Sequence, residues 1–86
     1  MPEISRFYGI SVRMYRDEHP PPHFHVRYGG SAGSFTIKPL TLYRGTLPPR
    51  IRGMIIEWAA SHENELMRNW WLAQARRKPR HIPPLQ

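Results

Sequence analysis

The apolar residues of this chain change their period once. Up to residue 44 they alternate with polar residues; from residue 49 they recur at steps of three and four. A period of two belongs to a strand with one buried face, and a period near 3.6 to an amphipathic helix, so a sheet must be joined to helix that packs on it. Residues 10–15, ISVRMY, set Ile10, Val12 and Met14 against Ser11, Arg13 and Tyr15. Residues 23–28, HFHVRY, repeat the pattern, with Phe24, Val26 and Tyr28 expected toward the core and His23, His25 and Arg27 away from it. SFTIK, 34–38, reads as a third strand and LTLYR, 40–44, as a fourth at the sheet edge. GGSAG, 29–33, reads as a turn. RDEHPPP, 16–22, reads as a loop, because proline cannot donate to a ladder.

In GTLPP, 45–49, Thr46 is a candidate helix N-cap, and prolines suit the first turn. Ile51, Met54, Ile55, Trp58, His62, Leu66, Trp70 and Ala73 then form one stripe. Its phase holds through 58, 62 and 66, which favours one helix over about 47–77 rather than two with a kink near Ser61–His62. Lys78-Pro79 ends it, and the tail 78–86 carries Ile82 and Leu85, apolar enough to dock on the core. The expected fold is one α+β domain over 1–86: an antiparallel four-stranded sheet within 4–44, in ββββα order, with one long C-terminal helix on its Ile/Val/Phe face. The His/Arg/Tyr face stays open.

Eighty-six residues permit one thin core, and the aromatic residues supply much of its area. Cysteine is absent, so any metal must be held by His, Asp, Glu or backbone oxygen. MPEISRFYG has no apolar signal core, and no run approaches the roughly 18 apolar residues of a membrane span; a cytoplasmic protein without membrane contact is expected. The net charge is +7, and arginine dominates its basic residues. The guanidinium fork suits phosphates and carboxylates, which points to nucleic acid or a small acidic protein as partner. The edge strand could also pair with a second copy, giving a homo-oligomer.

HPPPHFHVRY, 19–28, holds the candidate site. Pairing Tyr15 with His23, Arg13 with His25 and Ser11 with Arg27 also sets Met14 against Phe24 and Val12 against Val26, so both faces agree; a one-residue slip would destroy this. Arg13, Tyr15, His23, His25 and Arg27, with His19 from the loop, then form one binding patch. Interleaved basic and aromatic groups on an open sheet suit phosphate contact and base stacking. As an alternative, a metal-independent ribonuclease could move protons with His23 and His25, hold phosphate with Arg13 and use Tyr15 as acid. A second alternative makes His19, His23 and His25 ligands of a divalent transition metal, with Asp17 or Glu18 as carboxylate; the neighbouring charges of Arg13 and Arg27 oppose it. Binding leads, and no cofactor is expected beyond the metal these histidines allow. Elsewhere, His62 reads as packed or capping, Trp58 and Trp70 as core, and Trp71 as exposed. ARRKPRH, 75–81, suits the helix dipole and could also hold phosphate.

MPEISRFYGISVRMYRDEHPPPHFHVRYG, the later LPPR…EWA…H…EL…W and the closing I-P-P-L resemble a family of small prokaryotic proteins, domain-of-unknown-function family 4160. Its most specific elements are the opening E-I-S-R-F-x-G-I and the core formed here by His19, Pro21, Pro22, His23, Phe24 and His25. The resemblance implies a small cytoplasmic bacterial domain, often encoded beside another short protein, which raises the idea of one half of a toxin–antitoxin-like pair. It brings no established activity, cofactor or catalytic residue.

Overall fold

Five strands, not four, make the sheet: β1 Glu3–Phe7, β2 Ile10–Arg13, β3 His23–Tyr28, β4 Ser31–Thr36 and β5 Thr41–Thr46. Each pairs antiparallel with the next, in the order β1-β2-β3-β4-β5. The structure is a computed structural model that describes residues 3–86; the first two positions of the family-like opening lie outside the described residues. Strand β1 escapes the alternation because it carries a bulge: Glu3 pairs with Arg13 but Ser5 with Val12. Ile4 and Phe7, three apart, are therefore both buried, and the period of two fails. Tyr8 and Gly9, both at positive φ, join β1 to β2 in a two-residue hairpin turn.

Strand β4 begins at Ser31 rather than 34, since Gly29 and Gly30 alone make the turn. Tyr28, expected in the core, is 36% exposed. It points to the helix side but meets an open groove lined by Arg50, Met54 and Leu85, which covers it only in part.

The single long helix is likewise corrected. Helix α1 spans Pro49–Ala60 and α2 Glu63–Gln74. The amides of Ser61 and His62 bond three residues back, to Trp58 and Ala59, and His62 leaves the helical region at φ −126°. The break is too short to shift the phase of the apolar stripe, which is why the stripe reads as continuous. His62 packs on Trp58, ring centroids 5.6 Å apart, and its Nδ1 meets the Glu65 carboxylate in the first turn of α2. Thr46 is not an N-cap; it lies in β5, and Pro48 takes the cap position with Pro49 in the first turn.

Helix α2 ends with Arg76 at φ 60°, where Arg76 N–H donates to the Ala73 carbonyl and Arg77 N–H to that of Leu72. This is the Schellman closure, usually given to glycine. The tail then folds back. Asn69 exchanges two hydrogen bonds with the Arg80 backbone, Trp58 Nε1 donates to the Pro83 carbonyl, and Ile82 N–H donates to the Ile4 carbonyl. Ile82 is buried beside β1.

The core joins Ile4, Val12, Phe24, Val26 and Phe35 of the sheet to Ile51, Ile55, Trp58, Leu66 and Trp70 of the helices. No helix among the described residues is long and apolar enough to cross a membrane. The helices cover one face of the sheet, and the opposite face carries the site.

Candidate functional site

The β2–β3 ladder has the expected register: Ser11 opposite Arg27, Val12 opposite Val26, Arg13 opposite His25. Strand β2 ends at Arg13, however, so Tyr15 and His23 are not ladder partners. The Tyr15 ring instead lies edge-on to His25, with centroids 4.8 Å apart. The expected single patch divides into an open basic dish and a partly enclosed histidine–carboxylate cluster, with His25 in both.

The dish is a cavity of about 230 Å³ on the open face, lined by Arg13, Tyr15, His25, Arg27 and Arg44, with Gly33, Ser34 and Gly45 beneath. Arg44 was not foreseen. In the sequence it shares the parity of Leu40 and Leu42, so no pattern sets it beside Arg13 and Arg27. A bulge reverses it: Phe35 pairs with Leu42 but Ser34 with Arg44, so Arg44 joins Ser34 on the open face. Gly33 and Gly45 pair across the same strands, and a Cβ on Gly45, at φ 80°, would overlap the Ala32 carbonyl. Glycine lets the two backbones approach there.

Arg13 is held within the dish. Its Nε donates to Ser11 Oγ at 3.0 Å, Ser11 Oγ donates to Glu3 Oε2 at 2.7 Å, and Arg6 pairs with Glu3 at 2.8 Å. The Ser11 hydrogen bond, then that of Arg6, hold the Glu3 carboxyl below its ordinary value. Glu3 belongs to the strand that the alternation concealed, so its part in placing Arg13 could not be read in advance.

The second part is built on Glu18, His23 and His25, which each present a ligand atom within 4.8 Å of the others. His25 Nε2 lies 2.5 Å from Glu18 Oε1, and His23 Nε2 lies 3.3 Å from Glu18 Oε2. His23 Nδ1 donates to the Pro21 carbonyl at 2.7 Å, while His25 Nδ1 meets Ser34 Oγ at 3.1 Å. His23 is only 4% exposed. The rings of Trp70, Tyr43 and His25 stand 5.3, 5.6 and 5.1 Å from its own. The sequence expects His23 on the open face with His25; it is instead buried against Trp70 of the core and Tyr43 of β5. Only His25 and Tyr15, of the proton-carrying groups expected on the patch, reach the dish.

His19 is exposed and stands apart from the cluster. Glu18 supplies the third group, one of the two carboxylates considered for that place. Asp17, the other, turns outward at φ 59° and pairs with Arg76 at 3.1 Å, tying the loop to the end of α2. Trp71 is exposed, and Trp58 and Trp70 are core, as their spacing implied.

Comparison with curated proteins and with solved structures finds no match. A family model matches residues 9–71, a span that takes in both the dish and the cluster and leaves out β1 and the tail. With that span covering most of its length, the chain belongs to the family described as Domain of unknown function (DUF4160).

Proposed function

We propose that the open sheet face binds single-stranded nucleic acid. The observation that carries this reading is the convergence of Arg13, Arg27 and Arg44, from three strands, on one shallow cavity rimmed by Tyr15 and His25. Guanidinium groups contact phosphates as bidentate forks, and an aromatic or imidazole ring beside them offers a base a stacking surface. The overall charge of +7 favours the same partner and speeds its encounter.

Fluorescence anisotropy with a labelled oligonucleotide, across a range of salt, tests this. Binding should weaken steeply with salt. Arg27→Ala and Arg44→Ala should each lower the log–log slope by about 0.7, the value for one phosphate contact on a single strand. Salt-insensitive binding, or slopes unchanged in both variants, would remove the reading. An acidic protein that binds this face while oligonucleotides do not would replace it. The ribonuclease alternative has only His25 and Tyr15 at the rim, so the labelled strand is expected to keep its full length in chelator.

A further inference from the structure

We infer that Glu18, His23 and His25 form a binding site for one divalent first-row transition-metal ion, of which zinc is the reference case. The inference is independent of nucleic-acid binding. It begins with the hydrogen on His23. A carbonyl oxygen can only accept, so His23 Nδ1, 2.7 Å from the Pro21 carbonyl, carries the proton. In the neutral ring, Nε2 then points a lone pair at the Glu18 carboxylate 3.3 Å away. A proton or a metal ion between lone pair and carboxylate completes this arrangement, and the second His nitrogen on the same carboxylate favours the metal ion, which can take all three ligands at once.

His25 differs in where its hydrogen sits: Nε2 donates to Glu18 Oε1 at 2.5 Å, so Nδ1 accepts from Ser34 Oγ, and a metal at Nε2 would displace that proton. Both rings are thus oriented through Nδ1 by a neutral oxygen while their Nε2 atoms converge. Histidines that ligate metals are oriented in this way by an outer partner on the other ring nitrogen. The Trp70 and Tyr43 rings pack against His23 and fix it in place.

Two imidazole nitrogens and one carboxylate oxygen match a three-ligand zinc site with a further position open. His23 closes one side of the cluster, and the half-buried Glu18 and His25 leave the other accessible. The objection from nearby arginines loses force at Arg13, whose Nε is drawn to Ser11 and the Glu3 carboxylate beyond it. Ligand atoms on one tetrahedral zinc stand about 3.4 Å apart, so the 2.5 Å contact between His25 and Glu18 must open by about 1 Å. Glu18 lies on a loop rather than a strand and can supply that shift.

The test is calorimetric titration of the untagged chain with Zn²⁺, and a visible spectrum with Co²⁺. One saturable equivalent is expected, with the absorption bands of four-coordinate cobalt and a higher unfolding temperature in zinc. Glu18→Gln and His25→Ala should each weaken binding by more than about tenfold, the least that losing an outer-shell group costs, and His19→Ala should leave it unchanged. His23→Ala would open a hole among packed rings, so the half-buried positions are used, with circular dichroism to verify folding. No saturable binding would overturn the inference. So would equal affinity in Glu18→Gln and His25→Ala, or a loss in His19→Ala.

Discussion

Arg44 and Gly45 illustrate how single residues shape the dish. Arg44 faces the ligand side only because the bulge in β5 reverses its direction, and Gly45 beside it holds φ 80° against the Ala32 carbonyl. Gly45→Ala should therefore cost about 2 kcal/mol or more, combining a left-handed alanine with a backbone clash. Urea unfolding measures this; a loss below about 0.5 kcal/mol would show that β5 can move aside. The site was legible at this scale where two faces had to agree: Arg13 opposite His25 follows from Val12 opposite Val26. It was not legible where a residue depends on distant chain. His23 is buried by Trp70, 47 positions on by number, and no local pattern announces that cover.

At the scale of elements, the departures from expectation share one cause: regular periods report regular stretches. The bulge in β1 places Ile4 and Phe7 three apart, and the two-residue break between α1 and α2 leaves the apolar phase intact. The tail reads as optional in sequence, yet residues of both helices grip it. Trp58 holds Pro83, and Asn69, buried at 1% exposure, holds Arg80 from both its amide atoms. Asn69→Ala should destabilise the protein by about 1–3 kcal/mol, since it removes both bonds from a buried position. Amide exchange at Arg80 and Ile82 should rise with it. Unchanged exchange at Ile82 would mean that burial of its side chain alone keeps the tail beside β1.

For the whole molecule, the one-sided cover of the sheet matters most. The helices and tail bury the Ile/Val/Phe face, and the tail also lies along β1 through the Ile82–Ile4 hydrogen bond. Strand β5 and the polar face remain outside that cover, so the arginines of three strands are left together. This division was visible in the sequence, because an alternating strand with one helical layer has only one face to bury. The competing basic region is the run from Arg76 to Arg80 at the end of α2, where Arg76 is already paired with Asp17. A ¹H–¹⁵N correlation spectrum during titration with a short single-stranded oligonucleotide separates the two. Shifts concentrated at Arg13, His25, Arg27, Ser34, Arg44 and Gly45 are the predicted result. Shifts confined to residues 75–81, with the sheet amides unmoved, would contradict nucleic-acid binding by the open face.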